Sequence, residues 1–202
     1  PEYARGQASF AMRSGELHES WQEFVWSRMD VAAEGTVVVA VPRDDFELSW
    51  FAADGTPLLK ATLPTKPWER NARARERMQG ILQHQADHLP GTRAVIAPTE
   101  PTIVDLSVHE NGDVWCLSSQ SMWETEKPYF ATYEVITAEG RFKERVQVIC
   151  EGDATRDRLM FAAGRFYRIA GYWDAVFKVL SETPDPDAEP MSVTCYRVRQ
   201  GD

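Results

Sequence analysis

His84 and His88 stand four residues apart in the run His84-Gln-Ala-Asp-His88. On a helix, such a pair projects from one face and can grip a zinc ion. The metalloprotease form also needs a glutamate directly after the first histidine. Gln85 stands there instead, so no metal is expected. Asp105 and Asp157 each lie seven residues before a turn glycine, Gly112 and Gly164, while Asp30 lies five before Gly35. The shared parity sets all three on matching faces of their strands. Oxygen ligands of this kind suit calcium, but a structural role at strand starts is the expected one. His18 and His109 stand alone and are expected on the surface or in turns. No Gly-x-Ser-x-Gly, P-loop or Gly-x-Gly-x-x-Gly occurs, so hydrolase, kinase and nucleotide-binding readings lack support. No cofactor is expected.

The elements that would hold these residues come from a chain of 202 residues, 43% hydrophobic, enough for one domain with a substantial core. A formal charge of −9 argues against nucleic acid, because duplex binding needs clustered cations. No apolar run approaches the ~18 residues of a membrane-spanning helix, and no secretion signal is evident. The sequence opens on Pro1, which reads as a processed product or an excised piece. Cys116, Cys150 and Cys195 are odd in number and lack the Cys-x-x-Cys spacing of zinc or redox motifs. They are expected to be small buried hydrophobes, with one disulfide plus a leftover thiol as the alternative.

A phrase recurs: an apolar stretch, a glycine turn, another apolar stretch. It runs from Met29 through Gly35 to Val41, from Ile103 through Gly112 to Leu117, and from Arg158 through Gly164 to Ile169. Asn111-Gly112 has the composition of a two-residue type I′ turn. A second phrase follows the first. Phe46–Phe51 leads through Asp54-Gly55 to Pro57–Leu63, and Tyr129–Ile136 leads through Glu139-Gly140 to Phe142–Val148. These stretches alternate apolar and polar residues, as half-buried antiparallel strands do.

The pattern predicts three four-stranded meanders, strands A to D, over about residues 25–64, 101–150 and 156–200. The third lacks an evident D strand, and its C strand is expected over Ser192–Val198. Residues 7–12 read as an outer strand of a preceding unit. The fold class is thus all-β, built of propeller blades in one domain over 1–202, with a helical insertion in 65–100. A β-sandwich also has many short strands, but it does not explain the paired phrases in fixed order.

The phrases VHENGDVWCLSS and FELSWFAADGTPLLKATL, with the ending VTCYRVR, resemble six-bladed β-propeller proteins of bacterial envelopes, relatives of the NHL-repeat proteins. The resemblance covers about residues 20–200 and implies half of a six-bladed ring in an extracytoplasmic setting. Related propeller lactonases hold a metal in the central channel, but their Glu, Asn and Asp ligand set has no match here. Three blades do not close a ring, since propellers use about 4–8. The open edges are expected to be covered by further blades, a protein partner or a second copy making a homodimer.

The A–B and C–D turns are tight, whereas nearly every long connection is of B–C or D–A type: Pro64–Pro101, Ser118–Lys127 and about 171–190. Extended loops at one end of a rigid scaffold are where binding is usually built. In the first of them, Asn71 is a plausible cap for a helix over 71–88, the one long helix expected. Met78, Ile81, Leu82 and Leu89 give it an apolar face. Arg70, Arg73, Arg75 and Arg77 make its start basic, either as a solvated face or as a partner site. Trp68, Trp123, Tyr172 and Trp173 gather at the same end, as core or as a binding patch. The candidate binding residues are therefore Trp68, Arg70, Arg73, Arg77, Trp123, Tyr172 and Trp173. The expected function is a non-catalytic binding or scaffold module of the cell envelope. A propeller hydrolase or lactonase, or an accessory subunit of a membrane-associated complex, is the alternative.

Overall fold

The computed structural model of the chain describes residues 15–21, 26–181 and 190–197. The strand expected over 7–12 lies outside the described residues. β1 (Glu16–His18) comes first, followed by β2 (Met29–Val31), β3 (Val37–Val39), β4 (Phe46–Phe51) and β5 (Pro57–Leu63). The last four form one antiparallel sheet in sequence order. Then come α1 (Ala72–Asp87) and β6 (Arg93–Val95), which pairs in parallel with β1, a pairing the repeat pattern does not foretell.

The second sheet is β7 (Ile103–Val108), β8 (Val114–Ser118), β9 (Tyr129–Ile136) and β10 (Phe142–Ile149), again in sequence order. α2 (Ser119–Glu124) sits between β8 and β9. The third sheet is β11 (Arg158–Ala162), β12 (Arg165–Ala170) and β13 (Ser192–Arg197), with α3 (Tyr172–Ser181) between the last two. The chain is thus dominated by antiparallel sheets, and none of them closes on itself. Two stretches expected as loops, 118–127 and 171–190, instead hold α2 and α3. Tyr172, Trp173, Val176 and Phe177 do carry helical spacing. A sheet pattern on either side conceals it.

The turns differ from expectation in form. Those after β2, β4, β7 and β9 share one pattern. The residue before the loop donates its N–H to the carbonyl four residues on, and the glycine N–H returns to that first residue, as at His109, Asp113 and Gly112. Three residues therefore form the loop at Asn111-Gly112, where a two-residue turn is predicted. The two-residue form occurs between β11 and β12, where Ala162 pairs directly with Arg165. Both centres there, Ala163 (φ 51°) and Gly164 (φ 66°), are left-handed.

The second sheet is the middle layer. Val114 and Cys116 on β8 pack with Val38, Leu48 and Trp50 of the first sheet. Trp115 and Leu117, on the other face of the same strand, pack with Leu159, Phe161 and Phe166 of the third. Its neighbours each have one face so covered. Their outward faces carry exposed apolar side chains: Val31 (54%) on the first, Met160 (45%) and Val193 (67%) on the third. The expectation of three buried cysteines holds for Cys116 alone. Cys150 is half-buried, Cys195 is exposed, and all three are free thiols.

Candidate binding site

The D–A connection begins by anchoring itself. Arg70 donates its N–H to Pro98 and is buried at the head of α1. Its guanidinium grips Glu19 through both Nη atoms at 2.5 Å, Glu100 through Nε at 2.8 Å and the Ala97 carbonyl at 2.9 Å. Arg43 adds a bond to Glu19 at 3.1 Å. Burial alone would raise the Glu19 carboxyl, but Arg70 outweighs it and holds the group below the usual carboxylate range. Arg70 therefore fixes the insertion against the residues around β1, with no face open to solvent.

α1 then starts at Asn71, whose Oδ1 accepts from Ala74 N at 2.9 Å, the cap the sequence suggests. Ala74, Ile81, Leu82 and Ala86 form its buried face. Its basic face meets aromatic rings. The Arg77 guanidinium lies 5.3 Å from the Trp123 ring and 4.6 Å from the Phe177 ring, a cation between two π faces. Arg73 lies 5.8 Å from Trp123 on α2. Trp68 stacks on Trp123 with centroids 6.0 Å apart and donates to Glu124 at 2.6 Å. On α3, Trp173 meets Phe177 at 6.1 Å and Tyr172 at 4.9 Å, and Tyr172 receives Arg158 at 5.3 Å. Rings and guanidinium groups thus form one continuous ladder joining three insertions.

Beneath this ladder lies a cavity of about 270 Å³. Met78, Ile81 and Leu82 of α1, Ile103 and Val104 of β7, and Met122 of α2 make its walls apolar. Arg77, Trp123, Trp173 and Phe177 form its aromatic side. Three of the seven candidate residues, Arg77, Trp123 and Trp173, line it directly. Trp68, Arg73 and Tyr172 stack on ladder residues, and Arg70 stands behind Glu19 and Glu100, which reach the wall. Phe177 was missed because its segment reads as loop; its spacing four residues after Trp173 is the signal that marks it.

The other chemical candidates are occupied. Asp30 accepts Val108 N at 2.8 Å, Asp105 is gripped by Arg158, and Asp157 accepts Gly171 N at 2.9 Å. The His84 and His88 rings meet edge to face at 4.7 Å, and His88 Nδ1 lies 2.8 Å from the His84 carbonyl. His109 stands at the base of the β7–β8 turn, as one of the two expectations has it, but half-buried. It is stacked on Trp115 and packed against Phe161, both at 4.5 Å, and burial lowers its pKa.

No known family matches the sequence, and no curated protein does. Among solved structures, a protein of unknown function from Bacteroides caccae aligns at 12% identity with a TM-score of 0.34. That alignment covers 70% of this chain and 37% of the other, so this chain spans little more than a third of that protein's length.

Proposed function

We propose that this chain is a non-catalytic binding module whose ligand enters the cavity beneath α1, α2 and α3. One observation carries the reading. Insertions from three separate connections, all at the same end of the sheets, converge on a single apolar cavity with an aromatic rim. Ligand sites have this build: a concave, largely apolar space with a few placed polar groups. The short turns at the opposite end leave the scaffold bare there.

We further read the three sheets as consecutive propeller blades. Each follows sequence order, and the middle one is covered on both faces. Successive first strands are joined by Asp30 to Val108 and by Asp105 to Arg158. On this reading, further sheets of the same build, from more chain or a second copy, cover the outward faces of the first and third sheets.

Titration with prodan, a neutral polarity-sensitive naphthalene probe, tests the binding reading. The expected result is a saturable blue-shifted signal at one site, lost in Ile81→Phe, which fills the cavity while circular dichroism stays unchanged. A wild-type protein that gives no saturable signal overturns it, as does an equal signal from a folded Ile81→Phe variant.

A further inference from the structure

We infer that a second cavity, between the β7–β8 and β11–β12 turns, takes a small planar aromatic molecule bearing one hydrogen-bond donor, which His109 accepts. It lies at the end of the sheets opposite the three insertions. The inference goes beyond the binding reading and does not depend on it.

The two turns enclose about 290 Å³. Ala163 and Gly164 of the second turn line it, with Trp115, Phe161 and Phe166 from the strands beside them. Small-molecule sites typically span ~300–1,000 Å³, so the occupant here is small. The rings form one cluster. His109 stacks on Trp115 with planes 9° apart and centroids 4.5 Å apart. Phe161 lies 4.9 Å from Trp115, and Phe166 meets Phe161 edge to face at 4.5 Å. A flat apolar molecule suits such a wall, because aromatic rings attract one another at these spacings. Glu110 and Arg165 bring one charge of each sign to the lining, so charge gives neither sign of ligand an advantage.

One polar atom of this wall lacks a partner. The His109 ring is packed against Trp115 and Phe161, but its Nε2 is buried with no hydrogen bond, whereas Nδ1 is not so stranded. Burial holds the imidazole below its ordinary pKa, so it is neutral at pH 7, with one nitrogen protonated. A proton on Nε2 would leave a buried N–H unmatched. The proton therefore rests on Nδ1, and Nε2 presents a lone pair. A buried acceptor left alone costs free energy, and a donor that reaches it recovers that cost. The N–H or O–H of a small aromatic is such a donor, carried in the plane of the ring that the cluster selects.

The test is ligand-detected NMR on the full chain with indole and with benzofuran, an isostere that lacks the N–H. Indole is expected to bind about tenfold tighter, the worth of one buried acceptor matched. The preference is expected to persist in Ile81→Phe, which closes the cavity beneath α1. In His109→Phe, which keeps a ring and removes the acceptor, it is expected to fall within about threefold. Should His109→Phe fail to fold, the side-chain nitrogen resonance of His109 Nε2 in wild type reads the same contact. Indole is expected to move it and benzofuran to leave it in place. An absence of indole binding overturns the inference, as does equal affinity for the two ligands. So does a preference that survives in folded His109→Phe or is lost in folded Ile81→Phe, or an unmoved Nε2 resonance with indole bound. Failure of prodan to bind, with the indole preference intact, overturns the binding reading alone.

Discussion

Asp105 accepts from Arg158 at both oxygens, Nη2 to Oδ1 at 2.8 Å and Nε to Oδ2 at 2.9 Å, across the gap between the second and third sheets. Burial nevertheless pushes the Asp105 carboxyl up to about 6, against the pull of Arg158. A folded-state value above the unfolded one means the folded state binds more protons between the two. The contribution of Asp105 to stability is thus largest in acid and declines as pH rises through about 6. Denaturant melts of wild type and Asp105→Asn from pH 7 to pH 4 check this. The gap in favour of wild type is expected to widen as pH falls, and a narrowing gap contradicts it.

The Arg70 cluster has the opposite sign. Glu19 titrates below its ordinary value, so its contribution is present at neutral pH and lost as pH falls through the folded value. Arg70→Met strands two buried carboxylates and is expected to cost about 3–5 kcal/mol at pH 7. The cost is expected to shrink in acid, as pH falls through the folded value of Glu19. Urea unfolding of wild type and variant over a falling pH series reads this directly.

The turn at Ala163 stores strain that sequence can relieve. A non-glycine residue in left-handed geometry costs roughly 1–2 kcal/mol, least for asparagine. Ala163→Asn is expected to raise the unfolding midpoint without changing its slope, by about 0.5–1 kcal/mol in stability.

Gly140 reports on packing between the first two sheets. A Cβ there would meet Leu59 Cδ2 at 2.9 Å and the Ala61 Cβ at 3.2 Å, whereas one at Gly35 would meet its nearest neighbour at 3.5 Å. Both positions are left-handed, so backbone strain is common to the pair. Gly140→Ala is expected to destabilise more than Gly35→Ala, by about 1 kcal/mol or more from overpacking. Equal costs in thermal melts would show that the two sheets give way at no expense.

The outward faces lead to a further expectation. Exposed Met160 and Val193 on the third sheet, and Val31 on the first, face away from the second sheet. In size-exclusion chromatography with light scattering, the chain is expected to run above its 22.9 kDa mass. Met160→Lys with Val193→Lys is expected to bring it down. A stable wild-type monomer contradicts the blade reading.

Strands were legible because their signal is local. Phe46–Phe51 alternates along its length, and its glycine turn lies within the same few residues. The asparagine cap of α1 was legible for the same reason. The role of Arg70 was not. It depends on Glu19 and Glu100, 51 and 30 residues away, which no short pattern links to it. α3 was hidden by context, since apolar residues after a strand read as more sheet or as loop. At the cavity, sequence found the rings and cations of the rim and the apolar face of α1, Met78, Ile81 and Leu82, but missed Ile103, Val104 and Met122, which β7 and α2 bring to the wall.

Each sheet is made from one unbroken stretch of chain, beginning at Met29, Ile103 and Arg158. A nascent polypeptide therefore delivers its layers in order, N-terminal first. The first sheet leaves the ribosome whole at Leu63 but with Leu48 and Trp50 uncovered, and it waits for Val114 and Cys116 to emerge after α1 and β7. Synthesis thus passes through a window in which a finished layer lacks its neighbour, and the speed of translation across α1 sets how long that window stays open.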